Sequence, residues 1–232
     1  MKIDFLRKNL IAHRGVCYKY RENTIEAFEE AIKGNYIIEL DVHLTKDKEV
    51  VVYHDNNLKR ITGINKNIKD STYEELNNII SIPTLESVLN LVKGRVPIII
   101  EIKFDNKIGM LEKKVSKILD KYNYEFAIHS FNPLSILWFK LNRPKYIKGY
   151  LIYSVFTNNF LVKAILNSNF LNKILNPDYI GINIEYLTTK KALKLKRKYL
   201  IIGYTINNQE EYNKYKNYAD NFICDIGKEP YK

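Results

Sequence analysis

The chain has 232 residues and a formal charge of +11, from 37 Lys and Arg against 26 Asp and Glu. Roughly three quarters of the unfolded surface can be buried at that length, so a single domain over residues 1–232 is expected, with no Pro-, Gly- or Ser-rich linker to divide it. The charge is compatible with nucleic acid, an anionic membrane or an anionic substrate. Lys, Asn, Ile and Tyr recur throughout, however, so the surplus is read as compositional and no nucleic-acid partner is expected.

In chain order, Leu10 to His13 is the first strand, and Asn23, with Glu26 three residues on, is the expected N-cap of a helix running to about Lys33, stopped by Gly34. The next strand spans 36–42. Only residues 43–49 separate it from Val50 to Tyr53, too few for a parallel crossover, so the link is a hairpin. Centred on Asp47 and Lys48, it pairs Asp41 with His54. The polar stretch 55–83, with a short helix over 72–78, is expected to cover a cleft as a loop region. Thr84 caps a helix that ends at Gly94, ahead of a strand over 96–102. Helices over 108–121, 133–141, 159–175, 189–197 and 208–217 then alternate with strands over 126–130, 147–152, 178–183, 199–205 and 221–224. Regular alternation implies a parallel sheet with helices on its faces, here a somewhat irregular TIM-type (β/α)8 barrel. Nine strand candidates compete for eight places, and the hairpin partner at 50–53 and the last strand are the two in question.

Polar residues interrupt this apolar pattern at strand ends, where barrel enzymes keep their catalytic groups. Glu39 and Asp41 are two apart on one strand and share a face, inside a run apolar enough to be buried on both sides. A solvated strand face is the bland alternative, but buried unpaired carboxylates are costly and a cation removes the penalty. With Glu101 from another strand end, the set is all oxygen and suits Mg2+ or Ca2+ rather than Zn2+, with Mn2+ also accommodated. His13 and His54 end matching runs and can serve as acid and base for one reaction, in either order. Arg14 and Lys103 suit a phosphate clamp, or else structural ion pairs. His43 is read as a rim residue, and His129, before Ser130-Phe131, as a residue able to face the cleft but without a catalytic role.

These pieces resemble the glycerophosphodiester phosphodiesterases. The family pattern appears in order as His13-Arg14-Gly15, Glu22-Asn23-Thr24, Glu39-Leu40-Asp41-Val42, His54-Asp55 and Glu101-Ile102-Lys103. The likeness extends through Leu44 to Asp47, Ile82 to Leu85 and Ser130-Phe131, which is nearly the whole chain. The resemblance implies a barrel hydrolase that uses one divalent cation to cleave a small-molecule glycerophosphodiester into glycerol 3-phosphate and an alcohol. It implies His13 and His54 as acid and base, Glu39, Asp41 and Glu101 as metal ligands, and Arg14 and Lys103 on the phosphate. Glu22, Phe131 and Tyr204 are expected behind the site or in its pocket. The chain departs from the family at Arg21 (often Pro), Lys48 (Gly) and Tyr204 (Trp), and the proline usual soon after Asp225 is displaced to Pro230. These departures bear on pocket shape and head-group preference and remove no catalytic group. A lysophospholipase D-type or sphingolipid-type phosphodiesterase, or a silent phosphate-ligand binder, are the alternatives.

No window of about eighteen apolar residues spans a bilayer, and Met1 to Asn9 lacks a signal-peptide core. Cys17 and Cys224 are too few for a disulfide scaffold, so a cytoplasmic setting is expected. The basic run Lys190 to Lys198 is a candidate peripheral contact for anionic lipid or nucleic acid, and the apolar helix over 159–175 for a membrane or a partner subunit, with a solvated face and core packing as the simpler readings. The oligomeric state is left open.

Overall fold

The computed structural model describes residues 3–104, 107–152, 169–227 and 231. Among the described residues, nine strands form one sheet: β1 Ile11–His13, β2 Ile37–Leu44, β3 Val50–Val52, β4 Ile98–Ile102, β5 Phe126–Ser130, β6 Ile147–Ile152, β7 Tyr179–Asn183, β8 Leu200–Ile206 and β9 Asn221–Cys224. Their order is β1-β9-β8-β7-β6-β5-β4-β2-β3, and a β1–β2 pairing closes the ring. Every pair around the ring is parallel, which makes a barrel of eight strands. The surplus strand is therefore β3, antiparallel on β2 and outside the ring, while β9 joins β8 to β1.

The hairpin register corrects the expected pairing by one residue. Val42 faces Val52, and the Tyr53 amide donates to the Asp41 carbonyl at 3.0 Å, so Tyr53 and not His54 stands opposite Asp41. The cause is the turn. Thr45 pairs with Glu49 around a loop of three residues, 46–48, with Lys48 in the left-handed region at φ 71°. Lys48 thus occupies a position where glycine is the unstrained choice.

The described helices are α1 Ile25–Lys33, α2 Lys59–Thr62, α3 Tyr73–Asn77, α4 Leu85–Val92, α5 Met110–Leu119, α6 Pro133–Asn142, α7 Asn169–Leu175, α8 Lys190–Lys196 and α9 Gln209–Tyr215. Of the helix expected over 159–175, only α7 falls within the described residues. The cap of α1 is Thr24, whose hydroxyl oxygen accepts from Ala27, rather than Asn23. Asn23 sits at φ 56° and spends its side chain on Asp41 instead, so the cap moves one residue on. In α8, Ala192 and Leu195 are buried while Lys190 and Lys194 face solvent, the arrangement of an ordinary solvated face.

Two apolar layers hold the barrel. Helix stripes such as Phe28 and Ala31 of α1, Val88 and Val92 of α4, and Ile136 and Phe139 of α6 pack on outward strand residues such as Ile38 and Ile100. Inside the ring, Ile11, Ile37, Ile99, Ala127, Tyr179, Ile202 and Ile223 meet Phe5 and Leu6, delivered by a short 3-10 helix over Asp4–Arg7. Those two plug the end of the barrel opposite the strand C-termini. Each fully buried side chain of this size contributes about 1.5–3 kcal/mol. Gly149 admits the Tyr179 ring, which would lie 2.2 Å from a Cβ there.

The 55–83 segment is more than a loop. Leu58, Ile68, Leu76 and Ile82 bury with Val51 and Tyr53 into a small core of their own. Thr72 and Glu75 form a reciprocal cap that starts α3. This packing fixes α2, and with it Arg60, against the mouth.

Candidate active site

The C-terminal ends of β1, β2 and β4, and the segment following β3, carry the polar residues singled out in the sequence. Backbone geometry at the first of these is tight. Arg14 and Gly15 both have positive φ, 57° and 85°, and a Cβ on Gly15 would lie 2.9 Å from Ala27. The turn aims the Arg14 amide at Glu39, which accepts at 3.1 Å, and returns the chain through Asn23 to the Arg14 carbonyl.

Glu39, Asp41 and Glu101 are all buried, at 2%, 1% and 7% exposure. Adjacent parallel strands set Asp41 beside Glu101. The Lys103 ammonium lies between these two carboxylates, 2.8 Å from Asp41 and 2.6 Å from Glu101. Asp41 also accepts from Asn23 at 2.8 Å and lies 3.5 Å from the Arg14 Nε. Burial alone would raise the Asp41 carboxyl, but Lys103, His54 and Arg14 outweigh it and hold it well below the carboxylate range. Glu101 goes the other way: burial raises it, Lys103 offsets this in part, and Asp41 adds to the rise. Lys103 is correspondingly held above its ordinary value by Asp41 and Glu101, against the effect of burial.

His129 of β5 joins them. Glu39, Glu101 and His129 each offer a donor atom, all within 4.8 Å of one another. The His129 Nε2 is 3.6 Å from Glu39, beyond hydrogen-bond distance, and among the described residues neither ring nitrogen has a hydrogen-bond partner. Two buried carboxylates, a third beside them and an unpartnered imidazole are a donor set that fits a divalent cation.

Each of the two predicted catalytic histidines has a carboxylate partner. His13 Nδ1 is 2.6 Å from Asp225, just past β9, and His54 Nδ1 is 2.6 Å from Asp55. The two partners differ in their own surroundings. Asp55 receives the Arg60 Nε at 2.5 Å, and Arg60 also pairs with Glu22, which in turn accepts from Arg14 at 3.0 and 3.1 Å. For His13, burial lowers the imidazole, yet the Asp225 hydrogen bond and the Glu39 charge outweigh it and lift it above the ordinary value. For His54, burial dominates and Lys103 and Arg14 reinforce it against Asp41 and Asp55, so it falls below the ordinary value. His43 is not a rim residue. It is 4% exposed, its Nε2 lies 3.0 Å from the His54 carbonyl, and burial lowers its pKa to about 4, so as a neutral donor it pins the His54 backbone.

A cleft of about 390 Å3 opens between His13, Arg14, Glu22, Asn207 and Asp225. Across the mouth, Phe131 meets Tyr204 edge-on at 5.7 Å, and the Tyr204 hydroxyl donates to the Ile152 carbonyl at 2.8 Å. Phe104 and Leu134, in the segments after β4 and β5, are 51% and 54% exposed. Sequence reading missed Asp225 and Arg60 as parts of this site, and set His129 at the cleft without a catalytic role. Asp225 and His129 both end apolar runs, the signal that picked out His13, whereas Arg60 carried none.

The model of the glycerophosphoryl diester phosphodiesterase family matches residues 13–223. The chain is 41% identical over 143 residues to a human lysophospholipase D, a match covering 53% of this chain and 44% of the human protein. It is 38% identical over 153 residues to a Bacillus altitudinis glycerophosphodiester phosphodiesterase, covering 58% and 62% respectively. These matches thus span about two fifths to three fifths of those relatives' lengths. The structure superposes on a Thermotoga maritima glycerophosphodiester phosphodiesterase with a TM-score of 0.78, at 28% identity, over 94% of both chains. With the family pattern running from His13 on β1 into β9, and the same barrel beneath it, the chain belongs to the glycerophosphoryl diester phosphodiesterase family.

Proposed function

We propose that this protein hydrolyses glycerophosphodiesters to glycerol 3-phosphate and an alcohol by two-histidine acid–base catalysis. The carrying observation is the pair of His–carboxylate couples, His13–Asp225 and His54–Asp55, whose imidazoles are shifted in opposite directions beside one buried charged cluster. Groups whose environments drive their pKa values apart divide acid and base work between them.

His54, lowered, is the base: neutral, it takes the proton from the attacking hydroxyl, either water, which gives glycerol 3-phosphate directly, or the substrate's own 2-hydroxyl, which gives a cyclic phosphate that an activated water then opens to glycerol 3-phosphate. His13, raised, is the acid: it gives its proton to the leaving alkoxide as the P–O bond breaks. Arg14 and Lys103 face the non-bridging oxygens and stabilise the charge that develops there. Their present carboxylate partners keep both cations fixed before substrate arrives. Glu39, Asp41 and Glu101 are the carboxylates for a divalent cation, Mg2+, Ca2+ or Mn2+, which when bound supplies further charge stabilisation at the phosphate. A cytoplasmic setting goes with this reading, since Cys17 and Cys224 are free thiols. No helix among the described residues is long and apolar enough to cross a membrane.

A lipid-bearing substrate is the second reading, favoured by the exposed Phe104 and Leu134 and by the Phe131–Tyr204 pair on one side of the mouth. Choline release from glycerophosphocholine and from lysophosphatidylcholine separates the two. The first reading expects the soluble diester to be preferred, and the reverse preference overturns it. His13→Ala and His54→Ala should each lose ~100- to 10,000-fold on glycerophosphocholine. On a p-nitrophenyl diester, whose leaving group needs little protonation, only His13→Ala should recover.

A further inference from the structure

We propose that His129 is a nitrogen ligand of the cation held by Glu39 and Glu101, and that it tilts the site away from Ca2+ towards Mn2+. The inference rests on the metal-dependent reading above and adds to it a residue and an ion preference. His129 is 1% exposed, and both its ring nitrogens are buried without a hydrogen-bond partner. Such a group is destabilising unless something pairs with it, because an imidazole leaving water gives up hydrogen bonds at both nitrogens.

Among the described residues no protein group supplies that hydrogen bond. Glu39 is the nearest acidic group, at 3.6 Å, and the Tyr179 ring centroid is 6.3 Å away. The register of β4 and β5 sets His129 directly beside Glu101, so the imidazole is held at the level of the carboxylates. With Glu39 and Glu101 its donor atoms span no more than 4.8 Å, a separation that one ion can bridge. Asp41 is the carboxylate set slightly apart, since Lys103 and Asn23 already occupy its oxygens.

Carboxylates alone favour Mg2+ and Ca2+, while imidazole favours transition ions, so among the three cations proposed for this site Mn2+ is the one best suited to a nitrogen ligand beside oxygen. Replacing one oxygen donor by nitrogen therefore handicaps Ca2+, which is bound almost wholly through oxygen. His129 sits in the barrel wall, and its contribution is independent of whether His13 and His54 act as proposed.

The test is pulsed EPR on the intact protein loaded with Mn2+ and no substrate. Wild type should show modulation from a directly bound nitrogen, and labelling with [15N]histidine should convert it to the 15N pattern; neither measurement depends on a variant folding. The signal should vanish in His129→Gln and persist in His13→Ala and His54→Ala. His129→Gln should also weaken Mn2+ by at least the ~10-fold that even outer partners of metal ligands command, with Ca2+ little changed. Bound Mn2+ without nitrogen coupling, or coupling that survives His129→Gln, overturns the inference. Choline release, measured separately, judges the hydrolase reading: its failure with the coupling present leaves His129 a ligand, and its success without the coupling removes only this assignment.

Discussion

Asp225→Asn tests the acid assignment with the least disturbance. The substitution keeps the shape of the side chain and removes the charge, and the backbone of residue 225 stays tied to the Ile206 carbonyl at 2.8 Å. What is lost is a 2.6 Å contact to the His13 Nδ1. Hydrogen bonds to charged groups contribute about 1.5–3 kcal/mol, and because Asp225 is 48% exposed, solvent screening puts this one at the low end. About 1.5 kcal/mol is roughly a tenfold loss in kcat/KM on glycerophosphocholine. The pH profile carries a second signature. His13 must be protonated to act, and its pKa lies above the ordinary 6.5, so activity falls on the alkaline side as pH rises through it. Without Asp225 the imidazolium is less stable and that limb moves to lower pH. The acid limb, set by His54, stays in place. The assay is kcat/KM against pH on glycerophosphocholine and on a p-nitrophenyl diester, at saturating metal. An unmoved alkaline limb, or an equal loss on both substrates, refutes the assignment of His13 as acid.

Arg60→Ala should move the other limb: it frees the Asp55 charge to stabilise the His54 imidazolium, raising its pKa, so the activity rise on the acid side shifts to higher pH. A metal-free preparation should be inactive and regain choline release on adding a divalent cation. Full activity with metal demonstrably absent contradicts the metal role. Glu101→Gln should lose cation affinity in calorimetric titration more than it loses stability, since charge is removed while volume is kept. Ile100→Ala, in a position wholly buried between β4 and the helix layer, should lower stability by about 2–5 kcal/mol in urea unfolding, seen as a shifted midpoint at constant slope.

Much of this protein was written locally. Runs such as Ile98 to Ile102 and Phe222 to Cys224 are strands because they are apolar and β-branched or aromatic, and the Thr72 and Thr84 caps need only a hydroxyl three residues ahead of an amide. The barrel followed from the alternation of strands and helices, and parallel closure gathers the charged residues that end several apolar runs at one mouth. What the sequence could not supply is whatever depends on contacts between distant segments. The hairpin register turned on the conformation of Lys48, and the α1 cap moved because Asn23 was recruited by Asp41, 18 residues away. His54 and Asp55 are neighbours in the chain, but His13 and Asp225 lie 212 residues apart and meet only because β9 closes on β1. The opposite shifts of the two histidines have the same origin. A pKa is the sum of burial and of every nearby charge: Asp225 and Glu39 lift His13 against burial, while Lys103 and Arg14 reinforce burial at His54, and strands far apart in the chain bring those charges together.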